Sequence, residues 1–124
     1  MKKRVLLVED NPAAMDVMQK ELEFLGYEVL LAADGEKAIN VAQTDQPDVI
    51  VMDILMPKMD GLEAASRLRE NPKTKAIPIL AATAKAMPGD REQCLESGCD
   101  DYIAKPFTHK ELDAVIKKLL DTSK

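Results

Sequence analysis

The sequence predicts an α/β fold, a five-stranded parallel sheet covered by five helices, and three observations carry that expectation. Short apolar runs rich in branched residues alternate with longer stretches of helical period, the pattern of parallel strands joined by crossover helices. The chain has 124 residues, the size of one domain, and at that length folding removes roughly two-thirds of the unfolded surface from water. It has no Trp, two Tyr and two Phe. The core must therefore be made of Val, Leu, Ile, Ala and Met, which suits a helix-covered sheet better than a small aromatic-centred fold.

Five runs read as strands: Val5 to Val8, Glu28 to Ala32, Val49 to Met52, Ile77 to Ala82, and Tyr102 to Ala104. Between the first two, Met15, Met18, Leu22 and Leu25 recur at helical spacing, and Gly26 supplies a left-handed residue to end the helix. Asp34 is placed to cap a second helix carrying Ala38, Ile39 and Ala42. A third, with Leu62, Ala65 and Leu68, begins after Gly61 and should stop near Asn71-Pro72. The fourth, after Pro88-Gly89-Asp90, is the least amphipathic, with Cys94 and Leu95 nearly its only sizeable apolar residues. A helix that buries so little is held loosely, so motion or partner binding is expected there. The last helix is the best marked. Thr108 and Glu111 have capping-box spacing, ahead of Leu112, Val115, Ile116 and Leu119 on one face.

Composition narrows the function. With 46% hydrophobic and 31% charged residues, the chain reads as globular. A formal net charge of −5 leaves no basic excess for a phosphate backbone, so no direct nucleic-acid binding is expected. Lys2, Lys3 and Arg4 precede an apolar run too short for a signal peptide or membrane span. A cytoplasmic protein with no membrane association is expected. Cys94 and Cys99 lack zinc-site spacing and read as free thiols. The chain starts with Met and closes just past its last helix, so residues 1–124 are expected to form one free-standing domain.

In an open parallel sheet, ligands bind outside the carboxyl ends of the strands. Here the first strand runs into Glu9-Asp10, the third into Asp53, the fourth into Thr83 and the fifth into Lys105. Each polar residue follows its apolar run without an intervening turn, which puts it at the mouth of the core. Three carboxylates so close would resist ionising together unless a cation joined them. Mg²⁺ fits, because it takes hard oxygen ligands, keeps waters and bridges to phosphate. Beside a metal, a carboxylate can act as nucleophile toward a phosphoryl group. Lys105 can pair with a carboxylate at rest and with a phosphoryl oxygen afterwards, and the Thr83 hydroxyl can donate to another of those oxygens.

Those residues resemble the receiver domain of two-component response regulators, of the stand-alone, chemotaxis-regulator-like kind, from Lys2 to the last helix. The matching motifs are Val8-Glu9-Asp10, Asp53-Ile-Leu-Met-Pro-Lys-Met-Asp-Gly61, Thr83, and Asp101-Tyr-Ile-Ala-Lys-Pro106. The resemblance implies a flavodoxin-like, doubly wound sheet of order 2-1-3-4-5, which pattern alone does not fix. It implies Asp53 as phosphoacceptor, Asp10 and Asp53 as direct Mg²⁺ ligands, the Leu55 backbone carbonyl as the third, and Glu9 acting through metal-bound water. Lys105-Pro106 matches the family's cis peptide. Thr83 and Tyr102 correspond to the switch pair, whose movement alters the face made by the fourth helix, fifth strand and fifth helix. The implied donor is a sensor histidine kinase or histidine phosphotransfer protein, and the implied readout is a downstream protein target. No turnover enzyme is implied, although such a domain promotes its own phosphorylation and dephosphorylation. Leu55 and Lys85 would border the phosphoryl group and set the access of water. For Met56, Pro57, Asp60 and Gly61 structural roles suffice.

Other readings fit less well. A haloacid-dehalogenase-type phosphatase needs a second aspartate where Leu55 stands. A flavin site wants a Ser/Thr-rich loop where Glu9-Asp10-Asn11-Pro12 would repel phosphate. No Gly-rich nucleotide loop with Lys-Ser/Thr is present. The strongest rival is a receiver-like interaction module that is never phosphorylated.

Overall fold

The computed structural model describes residues 2–53, 61–83, 89–105 and 107–122. In chain order the elements are β1 (Arg4–Val8), α1 (Pro12–Phe24), β2 (Glu28–Ala32), α2 (Gly35–Asp45), β3 (Val49–Asp53), α3 (Gly61–Glu70), β4 (Ile79–Thr83), α4 (Asp90–Ser97), β5 (Asp101–Ala104) and α5 (His109–Thr122). The five strands form one parallel sheet of order β2-β1-β3-β4-β5. The flavodoxin-like doubly wound expectation is met.

Strand alternation sends successive side chains to opposite faces, and each face has its own core. Leu6, Val8, Ile50, Met52, Ile79 and Ala81 face Ala38 and Ala42 of α2, Ala64, Ala65 and Leu68 of α3, and Cys94 of α4. Val5, Leu7, Val49, Val51, Leu80 and Ile103 face Met18 and Leu22 of α1 and Leu112, Ile116 and Leu119 of α5. Both faces of the central strands are buried, so they read as continuous apolar runs rather than alternating ones. Each fully buried Leu, Ile or Val in these layers contributes about 1.5–3 kcal/mol relative to exposure.

The helix ends follow the residues marked for them. Asp34 Oδ1 accepts from the Lys37 amide at 2.9 Å. Thr108 and Glu111 form a reciprocal capping box: the Glu111 amide donates to Thr108 Oγ1 at 3.1 Å, and the Thr108 amide to Glu111 Oε1 at 3.0 Å. Gly26 adopts φ +98 after α1. Gln46 adopts a left-handed φ of +49 at the end of α2, and its side-chain amide donates to the Ala42 carbonyl. The strand expected from Ile77 starts at Ile79 instead. Arg69 of α3 donates to the Ile77 carbonyl at 2.7 Å, so that carbonyl is engaged outside the sheet. Cys94 and Cys99 are buried free thiols, and burial, with Cys94 beside it, pushes the Cys99 thiol up to about 12. No helix among the described residues is long and apolar enough to cross a membrane.

Candidate functional site

The polar ends of β1, β3, β4 and β5 meet at one edge of the sheet. Glu9, Asp10 and Asp53 each bring a carboxylate oxygen into a group whose ligand atoms lie within 4.8 Å of one another. Local geometry explains the placement. The Glu9 amide extends the β1 ladder by donating to the Ala32 carbonyl at 3.1 Å. Asn11 then ends the strand and caps α1, its Oδ1 accepting from the Ala13 and Ala14 amides at 2.9 and 3.1 Å, with Pro12 in the first turn. Glu9 and Asp10 are thereby fixed between a strand end and a helix start.

Glu9 is the most enclosed of the three, only 4% exposed. Both of its oxygens are engaged: Oε2 accepts from the Asn11 amide at 3.2 Å, and Oε1 pairs with Lys105 Nζ at 3.2 Å. Burial by itself would raise its pKa. The Asn11 N–H, a hydrogen bond shared with the Asp53 carboxyl group and the Lys105 ammonium outweigh that and hold it below the usual carboxylate range. Asp10 and Asp53 are partly exposed.

Lys105 follows β5, and its amide donates to the Thr83 carbonyl at 2.8 Å, which ties the lysine to the end of β4. Thr83 is buried, 3% exposed. In the parallel register Ala81 lies beside Tyr102 and Thr83 beside Ala104, so alternation puts Thr83 and half-buried Tyr102 on the same face. That is also the face on which Tyr102 packs against the core under α4.

The structure therefore brings together Glu9, Asp10, Asp53, Thr83 and Lys105, with Tyr102 two register positions back along β5. Leu55, Lys85, Met56, Pro57, Asp60 and Pro106 lie outside the described residues, and so do the expected backbone ligand and the Lys105-Pro106 peptide. Sequence reasoning passed over Asn11, whose amide holds Glu9. The Asn-Pro pair at a helix start was the available signal. It also missed a largely apolar groove of about 430 Å³ beside the site, lined by Ala13, Ala14, Val17, Met18 and Glu21 of α1 with Lys105 and Phe107. A groove shared by one helix and the segment after β5 leaves no local pattern.

The carboxylate cluster has the donor chemistry of a divalent-cation site: hard oxygens converging from three residues, two of them partly exposed. The sequence model of the response regulator receiver domain family matches residues 5–117. The chain belongs to that family. The alkaline phosphatase synthesis transcriptional regulatory protein of Bacillus subtilis is 42% identical over 99% of this chain and 50% of its own length. A DNA-binding dual master transcriptional regulator of Synechocystis is 41% identical over 94% of this chain and 48% of its own. The chain thus spans about half the length of the curated relatives it matches. Among solved structures, the receiver domain of a sensor histidine kinase from Pseudomonas aeruginosa superimposes with a TM-score of 0.91 at 40% identity, covering 98% of this chain and all of that one. That structure has a magnesium ion coordinated in its active-site cleft. This chain is accordingly a receiver domain of two-component signalling.

Proposed function

We propose that this receiver domain is a phosphorylation switch in which Asp53 accepts a phosphoryl group from phosphohistidine. The observation that carries the reading is the convergence of Glu9, Asp10 and Asp53 within 4.8 Å, with Lys105 already paired to one of them.

In the proposed reaction an Asp53 carboxylate oxygen attacks phosphorus, the phosphorus–nitrogen bond to the donor imidazole breaks, and an acyl phosphate forms. Water later attacks phosphorus, and the products are inorganic phosphate and the original carboxylate. The protein's work is positioning and charge balance, since phosphoryl transfer needs little else. Lys105 turns from Glu9 to a phosphoryl oxygen, and Glu9 keeps its Asn11 amide partner meanwhile. Thr83 donates its hydroxyl to another phosphoryl oxygen. Asp10 and Asp53 would hold Mg²⁺ directly, with the Leu55 carbonyl, and Glu9 would act through bound water. When bound, the ion neutralises charge building on the transferring group.

The new charge beside Thr83 supplies the switch. Thr83 and Tyr102 share a sheet face, so a shift of the hydroxyl frees space for the ring and changes the surface made by α4, β5 and α5. A downstream protein target reads that surface. The apolar groove between α1 and Phe107 opens next to Lys105, and a sensor histidine kinase or histidine phosphotransfer protein docks there by an amphipathic helix. The net charge of −5 argues against a direct DNA contact by this domain itself. The working compartment is the cytoplasm.

Incubation with Mg²⁺ and acetyl phosphate, followed by intact-mass measurement, tests the reading. One added phosphoryl group, absent in Asp53→Asn, is expected. No addition, or equal addition to the variant, refutes it and favours an interaction module that is not phosphorylated. Beryllofluoride with Mg²⁺ should shift amide signals between residues 83 and 105; silence there removes the switch.

A further inference from the structure

The carboxyl end of α4 is tied to α3. Ser66 of α3 donates its Oγ to the Ser97 carbonyl at 3.1 Å, and Arg69 donates its Nε to the Gly98 carbonyl at 2.7 Å. The last carbonyls of a helix have no partner within it, and here a neighbouring helix supplies them. The chain turns through a Schellman motif, with the Gly98 amide on the Leu95 carbonyl at 3.2 Å and the Cys99 amide on the Cys94 carbonyl at 3.1 Å. Cys94 and Cys99 are both buried in the core beneath the turn. Gly98 has φ +119, and a Cβ there would come within 2.6 Å of Arg69 Cγ and 3.2 Å of the Ala65 carbonyl oxygen. Only glycine permits this approach.

Arg69 extends the anchor. Its Nη1 donates to the carbonyls of Lys75 and Ile77 at 2.6 and 2.7 Å, and its Nη2 pairs with Asp100. Asp100 Oδ2 also accepts from the Ile79 amide at 2.8 Å. One guanidinium thus fastens the end of α3, the approach to β4 and the turn from α4 to β5.

The amino-terminal half of α4 lacks comparable support among the described residues. Its N-cap is Gly89, with φ +91 and no side chain to accept from the first amides. Arg91, Glu92 and Gln93 are exposed. The contact of Arg91 with Asp101 is 3.6 Å long and its arginine is mostly in water, an arrangement worth little to stability.

We infer that α4 is a lever pinned at its carboxyl end, with Ser66 and Arg69 as positioning residues that form the pivot and the amino-terminal turns as the part that moves. The pivot is independent of the phosphorylation reading; only its use as an output device rests on that reading.

Hydrogen exchange by mass spectrometry or NMR on the full chain, free of metal, tests the pivot. Protection should rise along α4, with Gly98 and Cys99 exchanging on the order of tenfold more slowly than Gln93. Ser66→Ala and Arg69→Gln should abolish that gradient while β1 and β3 keep their protection, and Ser66→Thr, which retains the hydroxyl, should restore it. Uniform protection along α4, or equal loss in every element of the variants, overturns the pivot. Adding beryllofluoride and Mg²⁺ then separates the two claims. A wild-type response confined to Gln93 and its neighbours, and spread through Cys99 in Arg69→Gln, supports the lever as the output device. A response at Cys99 equal to that at Gln93 in the wild type rules that use out. No response anywhere counts against the phosphorylation reading and leaves the metal-free gradient to decide the pivot.

Discussion

Lys105 Nζ lies 3.2 Å from Glu9 Oε1, although β3 and β4 separate the strands that carry them. The ion pair therefore crosses the ends of the two strands that bear Asp53 and Thr83. It holds a positive charge over the carboxylate cluster, ready to be exchanged from one acceptor to another. Glu9 is nearly enclosed while Lys105 keeps a quarter of its side chain in water, so the lysine is the partner free to move.

Removing either sign of charge should shift metal-free stability in opposite directions. Lys105→Met leaves buried Glu9 with the Asn11 amide but no cation, and a loss of about 1–3 kcal/mol is expected in urea unfolding. Asp53→Asn replaces one member of the crowded carboxylate group with a neutral amide that can still donate toward Glu9, and should gain about 1 kcal/mol. A neutral Lys105→Met together with a destabilising Asp53→Asn would mean that the cluster carries no net repulsion.

Mg²⁺ should stabilise the wild type by mass action, about 1.4 kcal/mol when free ion exceeds its Kd roughly tenfold. Asp10→Asn should remove most of that gain in a thermal melt without shifting the metal-free transition downward. Equal stabilisation of both proteins would place the ion elsewhere.

A second long-range bond predicts a pH profile. Tyr27 Oη donates to Asp113 Oδ1 at 2.7 Å, and Lys117 pairs with the other oxygen at 3.0 Å. Burial would raise the Asp113 pKa, but these two partners hold it below its usual 3.8. A lowered carboxylate pKa gives stability that is present above the ordinary value and lost as pH falls through the folded one. Burial, and the bond to Asp113, raise the Tyr27 pKa above 10. That contribution is complete below about pH 10 and fades as pH climbs toward the folded value. Tyr27→Phe should cost about 1 kcal/mol at neutral pH, and its gap from the wild type should narrow below about pH 4 and above about pH 10. A constant gap across that range would refute the assignment.

Val17, 56% exposed at the groove beside Lys105, separates docking from chemistry. Val17→Asp should slow transfer from a histidine phosphotransfer domain by about tenfold or more. Phosphorylation by acetyl phosphate, which needs no helix in the groove, should be unchanged. Equal slowing with both donors would mean that the variant disturbs the site itself.

Much of this was legible because the fold writes its site at strand ends. Glu9, Asp10, Asp53, Thr83 and Lys105 each follow an apolar run directly, so finding the strands also found the residues that meet at the edge. The caps at Asp34 and Thr108 were visible for a similar reason, since their partners lie three residues away. What escaped notice acts over distance. Arg69 bonds carbonyls of Lys75, Ile77 and Gly98, and nothing in the residues around position 69 indicates those acceptors. The same holds for Tyr27 and Asp113, 86 positions apart. Ile77 fell outside β4 although it is apolar and branched, because its carbonyl is taken by Arg69 before the ladder begins.

The central claim concerns one oxygen, and trapping tests it at the residue. After phosphorylation with Mg²⁺ and acetyl phosphate, borohydride reduces an acyl phosphate to an alcohol, so the modified aspartate becomes homoserine. Peptide mapping should place homoserine at position 53 alone, in wild type and not in protein left unphosphorylated. Homoserine at position 10, or none anywhere, would contradict the account.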